Sequence, residues 1–359
     1  MKNVINIFKN NSAIDFLIAI FLSHIFYRIT FIESISAKFS LINQIKISDV
    51  TSQNFFVESP TYTLLAFGLG IENLDTFKIM IYLLFLVSLL FIVLNIQYLG
   101  GYSTVFILSG WLITCSWFLG FVDIISVLIM VIISKDILKN NISFLRTGLF
   151  FLLLCLNHNA ISIGVCVTYL LLTKRESLFK LISIIITSQL LGNFLIQYYL
   201  EAINFSGRGR LRFVFNDNVI ENAVNFVGSN FLIVLWSGFF GSILIMVLVF
   251  NTLPWMEVKK LLISLLIALF FTSIALDTSR IFSLLVVPII IHTLNLYKNR
   301  VDFNKKLAIT YTVSLLLVTV VGVFFIHGSV LTSSPMNELE NFYDFIPRIV
   351  NSVMSTIWK

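Results

Sequence analysis

The chain has 359 residues, of which 58% are hydrophobic and only 12% charged. Mean hydropathy is +0.97, which no soluble domain of this length requires and which points to an integral membrane protein. The excess of 24 Lys and Arg over 18 Asp and Glu does not signal a nucleic-acid partner, because most of these cations bracket apolar runs, as they do at the cytoplasmic ends of membrane segments.

Lys2 and Lys9 place the N-terminus inside, and the polar start followed by a long apolar run is not a cleavable signal. A first helix is expected over residues 12–32. A first outer loop, 33–77, follows with Asp49, Glu58, Glu72 and Asp75. Its apolar stretches, Phe55 to Val57 and Tyr62 to Ile71, predict helices lying along the interface, and Pro60 suits the first turn of one. Helix 2 is expected over 78–97, with the Gly100-Gly101 turn inside.

Two runs are too long for a single crossing, since a bilayer core takes roughly 20 helical residues. Thr104 to Ser134 contains one charge, Asp123. Leu261 to Tyr297 has 37 residues, with Lys259-Lys260 before it, Lys298 and Arg300 after it, and only Asp277 and Arg280 within it. Each reads as a hairpin with both ends inside and its tip outside. An ionisable residue at such a tip is costly to bury and is a functional candidate by default.

Gly148 to Thr173 lies between Arg146 and Lys174-Arg175, with Asn157-His158-Asn159 at its middle. The bracketing predicts a short hairpin whose Asn-His-Asn tip sits in a polar cavity below the outer surface. Helix 7 (181–199), an outer loop (200–228), helix 8 to Pro254, the Asp277/Arg280 hairpin, helix 11 (307–326) and an outer tail (327–359) complete the path. The expectation is a single all-α polytopic membrane domain over 1–359, with about eleven transmembrane segments, several of them short or broken hairpins. Its N-terminus is inside and its C-terminus outside.

Asp49 is a candidate general base, and Glu33 and Glu58 in the same loop are alternatives. Asp123 is a candidate catalytic acid or base, or a helix cap. Arg280 is a candidate phosphate ligand, because a planar guanidinium grips phosphate at two points; an ion pair with Asp277, three residues away, is the competing reading. Arg208, Arg210 and Arg212 form an outer basic cluster suited to pyrophosphate or to anionic lipid. His158 is a candidate phosphate ligand or acid, while His24 and His292 read as packing or interfacial residues. Cys115, Cys155 and Cys166 have no metal-ligand spacing. No nucleotide-binding loop, serine triad or metal motif is present.

In order and placement these features resemble the GT-C superfamily of membrane glycosyltransferases. The matching residues are Asp49 and Ser59-Pro60-Thr61-Tyr62 in the first outer loop, Gly120 to Asp123 at a hairpin tip, and Arg280 followed by Pro288. The chain lacks the paired acids of the better-known members and their large C-terminal soluble domain. The resemblance implies inverting sugar transfer from a polyprenyl-(di)phosphate donor to a glycan or lipid acceptor. The setting would be the outer face of a bacterial cytoplasmic membrane. The lipid bilayer is the implied surroundings, nucleic acid is no partner, and a divalent metal is the only cofactor left open. Two other readings stay open: an O-antigen or exopolysaccharide polymerase, and a transporter or flippase of a lipid-linked anion.

Overall fold

A computed structural model describes residues 12–25, 38–42, 59–119, 121–205, 219–273, 278–299, 313, 323–326 and 330–333. These are helical apart from turns and one short antiparallel hairpin, β1 (Val323–Ile326) with β2 (Val330–Ser333). Four helical stretches are long and apolar enough to cross a membrane: Leu74–Ile107, Arg175–Ala202, Phe231–Phe250 and Arg280–Lys298.

In chain order, α1 is Ser12–Ile25, α2 Thr61–Gly68, α3 Leu74–Ile96, α4 Ser103–Ile107 and α5 Gly110–Trp117. Then come α6 (Asp123–Leu138), α7 (Phe144–Asn157), α8 (Asn159–Leu172) and α9 (Arg175–Ala202). The remainder are α10 (Val219–Ser229), α11 (Phe231–Phe239), α12 (Ile243–Phe250), α13 (Trp255–Thr272), α14 (Thr278–Leu285) and α15 (Val287–Lys298).

Side-chain pairings set the helix directions. Asn95 meets Lys135 and Asp136 meets Arg146, while Asn157 meets Val122 and Ser126. Thus α3 runs parallel to α6, since the C-terminal ends of both meet, and α7 runs antiparallel to it. Asn159 bonds Asn193, and Ser162 bonds Gln189, so α8 runs antiparallel to α9. The α7–α8 pair is a short hairpin that reverses at His158.

The bundle therefore has two chemically different ends. At one end Lys135 bonds Asn95, Lys180 bonds the Ile142 carbonyl, Lys298 bonds the Tyr98 carbonyl, and Arg146 pairs with Asp136. Here too Asp15 is buried and accepts from Gln97, Ser103 and Thr104, which ties α1 to the turn at Gly100. Gly100 has φ 63°, a left-handed value that favours glycine. At the other end lie Asp123, His158 and Arg280. A rise of 1.5 Å per residue separates the two ends of α6 by about 24 Å.

Several details depart from the sequence reading. The outward limb of the first long run is two helices, α4 and α5, broken at Leu108 and Ser109, and Trp111 Nε1 donates to the Phe106 carbonyl beside the break. α11 and α12 are likewise broken around Phe240, whose φ is 41°. The end of α11 packs so closely on α5 that a Cβ at Gly110 would stand 1.6 Å from the Ser237 carbonyl oxygen. Where helix 11 was expected to run to Ile326, residues from Val323 onward form β1, which lies beside α11 and α14. Val-Phe-Phe-Ile is a short apolar run that periodicity cannot assign to helix or strand.

Candidate functional site

Asp123 sits in the first turn of α6, where the helix dipole favours a negative charge. Its carboxylate does not cap that helix: the N-cap residue is Val122, and no side chain caps there. Instead Arg280 Nε donates to Asp123 Oδ2 at 2.6 Å and Arg280 Nη2 to Oδ1 at 2.9 Å. This two-point ion pair is enclosed, with Asp123 0% and Arg280 4% exposed. The cap reading of Asp123 is thereby overturned, because a carboxylate with both oxygens on a guanidinium does not serve the helix end.

Arg280 lies in the first turn of α14, and its guanidinium carbon stacks 3.8 Å from the Phe121 ring centroid. Phe118 is 5.7 Å away on the same cation. Cation–π contacts of this kind stabilise by about 0.5–2 kcal/mol and fix the plane of the guanidinium. His158 Nε2 is 3.5 Å from Arg280 Nη2. Arginine has no acceptor, so this contact orients His158 with Nε2 as the acceptor. The α7–α8 break puts His158 there, since it ends one helix and starts the next.

Asn157 joins the first outer segment to this centre. Its amide donates to the Val122 carbonyl at 2.9 Å and to Ser126 Oγ at 2.7 Å, and its Oδ1 accepts from Thr61 Oγ1 at 2.7 Å. Thr61 begins α2, with Pro60 at the N-cap position. The inner face of α2 buries Tyr62, Thr63 and Ala66, and its outer face exposes Leu64, Leu65, Phe67 and Leu69. An exposed face with only Leu and Phe side chains suits contact with lipid.

Lys38 completes the cluster. It is 1% exposed, and its ammonium stands 4.7 Å from the Phe121 centroid and 5.5 Å from that of Tyr62. Phe121 therefore carries two cations. Burial pushes the Tyr62 phenol well above its ordinary value, and the nearby Asp123 adds to this. Among the described residues, Tyr62 Oη and Ser59 Oγ are buried without a hydrogen-bond partner.

Of the candidates read from the sequence, Asp123, His158 and Arg280 come together from three distant segments. Asp49, Glu33, Glu58, Asp277, Arg208, Arg210 and Arg212 lie outside the described residues. His24 is a packing residue that bonds Tyr82. All three cysteines are buried. Among the described residues no group of three or more His, Cys, Asp or Glu is placed to hold a metal ion. Sequence reasoning missed Lys38, Thr61 and Phe121 as parts of the centre. For Lys38 a signal existed: one of two lysines in the first outer loop, against the positive-inside bias, with Phe39 next to it.

No family model, curated protein or solved structure matches this chain.

Proposed function

We propose that the chain is a multi-pass protein of a bacterial cytoplasmic membrane. On this reading it transfers a sugar from a polyprenyl-(di)phosphate donor to a glycan or lipid acceptor at the non-cytoplasmic face. The observation that carries this reading is the meeting of Arg280, Asp123, His158 and Lys38 at the end of the bundle opposite the Lys135, Lys180 and Lys298 end. Positive residues favour the cytoplasmic side, so the site belongs to the other face. Buried ion pairs add little net stability compared with apolar packing, which favours a functional reason for this one.

In this reading the acceptor hydroxyl attacks the anomeric carbon and inverts it. The bond from that carbon to the phosphate oxygen breaks, and its electron pair leaves with the phosphate. Arg280, held in plane by Asp123 and Phe121, stabilises the charge that develops there. Asp123 is then a positioning residue, because both of its oxygens are engaged. The hydroxyl proton goes to a carboxylate of the first outer loop. Asp49 is the proposed base, with Glu33 and Glu58 as alternatives.

The test uses purified protein with a labelled polyprenyl-phosphosugar. Inverted product is expected from the native chain. Asp49→Asn should lower turnover by about 10²–10⁴-fold with donor binding intact, the usual contribution of a positioned acid–base group. Native turnover in Asp49→Asn, Glu33→Gln and Glu58→Gln alike would refute a first-loop base.

A further inference from the structure

Helix α9 carries amide side chains on a surface that otherwise suits lipid. Leu181 to Leu200 is a run of 20 residues without a charge, bounded by Lys180 and Glu201. That length matches one bilayer core, and the helix is apolar enough to cross. Within the run Gln189, Asn193 and Gln197 recur every fourth residue and form one ridge that ends on Glu201. Each step of four residues turns the ridge by about 40°, so it swings away from the bundle as it rises. Gln189 is half-buried and bonds back to Ser162 and Cys166 of α8. Asn193 is exposed, accepts from Asn159 and donates to the Gln189 carbonyl, which leaves its amide one N–H and one lone pair. Gln197 is exposed and has no hydrogen bond among the described residues. Gln197 and Asn193 stand about 6 and about 12 Å below Glu201 along the helix. The side chains around them are apolar: Leu190 is 67% and Phe194 66% exposed. An amide turned to hydrocarbon leaves its donors and acceptors unpaired, which is costly.

We infer that a second copy of the chain covers this face, and that the protein is a parallel homodimer joined along α9 through Asn193 and Gln197. Two copies inserted in the same direction are related by a two-fold axis along the membrane normal. Each α9 residue on the axis then meets itself at the same depth. A charged ridge would repel its own copy, whereas an amide both donates and accepts and is complementary to itself. Between Lys180 and Glu201 the ridge holds amides and no charge, as self-pairing requires. Spacing by four residues is also the ridge that packs helix on helix. Leu190 and Phe194 flank the contact but add little to it, since lipid tails are as apolar as they are; the amides supply the preference for protein over lipid. The dimer is independent of the transfer reading and of the Arg280 centre.

Two measurements on the full-length chain test this. In liposomes, energy transfer between donor-labelled and acceptor-labelled protein, followed as lipid is added, gives the dimer affinity. Gln197→Leu should weaken the dimer by about three- to thirtyfold, the range of an interhelical hydrogen bond in a membrane. It is an exposed substitution that removes no bond within the chain, so the fold should survive it. Asn193→Leu should weaken the dimer as well, but it also strands the Asn159 amide, which makes Gln197→Leu the cleaner variant. In native membranes, oxidation with copper phenanthroline should join Gln197→Cys into a disulfide-linked dimer. Leu83→Cys, 53% exposed on α3, should stay monomeric, and the native cysteines are buried. A native chain that shows no energy transfer, an affinity unchanged by Gln197→Leu, or equal cross-linking at both positions overturns the inference. Ready reaction of Gln197→Cys with a water-soluble maleimide in intact membranes would assign the face to a water-filled groove and also overturns it.

Discussion

Arg280 and Asp123, 157 positions apart in the chain, hold each other at two points in a fully enclosed ion pair. Removing one partner of such a pair leaves an uncompensated buried charge and costs about 3–5 kcal/mol. Asp123→Asn and Arg280→Met should each lower thermal stability in detergent by that amount. The double variant should be more stable than either single one, because no charge is left alone. It should still be inactive. Single variants that melt like the native chain would show that the pair is open to water.

Asn157 is the joint between the first outer segment and the centre. Thr61→Val keeps the shape and deletes one hydrogen bond, worth about 0.5–1.5 kcal/mol. Hydrogen exchange of the α2 amides should therefore speed up, while that of α6 and α9 stays unchanged. Asn157→Leu should have the larger effect, since it also strands the Val122 carbonyl and the Ser126 hydroxyl. Unchanged exchange in α2 for both variants would mean that the segment is held by other contacts.

Asp136 gives a pH dependence with a definite sign. Burial raises its carboxyl above 3.8, and Arg146 and Lys135 only partly oppose this. The native state then holds the proton more tightly than the unfolded chain does. Stability from this group is full below about 3.8 and falls as pH rises through the raised value. Melting curves from about pH 4 to about pH 7 should show this decline in the native chain and a shallower one in Asp136→Asn. An unchanged slope would assign the pH dependence to other groups.

The contact between α5 and α11 depends on glycine. Gly110→Ala would drive a methyl group into the Ser237 carbonyl, which is backbone and cannot rotate away. Overpacking usually costs about 1–3 kcal/mol, and this substitution should reach or exceed the top of that range. Gly148→Ala, whose added Cβ would sit 3.5 Å from Ser188 Oγ, is the tolerated control. Equal melting temperatures for the two variants would contradict this packing.

The course of the chain was legible wherever charge and hydropathy act locally. The Gly100-Gly101 pair marked the turn there, bracketing cations marked the reversal at His158, and the rarity of charge in apolar runs singled out Asp123, His158 and Arg280. Tertiary choices were not legible. Nothing local shows that Asp123 turns to Arg280 rather than to its own helix end. Likewise nothing local shows that Thr61 meets Asn157, 96 positions away. The breaks at Ser109 and Phe240 arise where α5 and α11 approach closely, and a single segment does not carry that information. Lys38 was passed over because a loop lysine is ordinarily solvated, and the fold encloses it.

The most direct test of the account uses proteoliposomes of known protein orientation and a labelled lipid-linked sugar. Single cysteines at Thr76 and Asn141, both exposed, report the orientation, since the native cysteines are buried. Sugar should be released from its lipid and joined to acceptor only when acceptor is supplied on the Thr76 side, and Arg280→Ala should abolish this. Intact lipid-linked sugar crossing the bilayer with no transfer, at a rate lowered by the same substitution, would contradict it and make the chain a transporter.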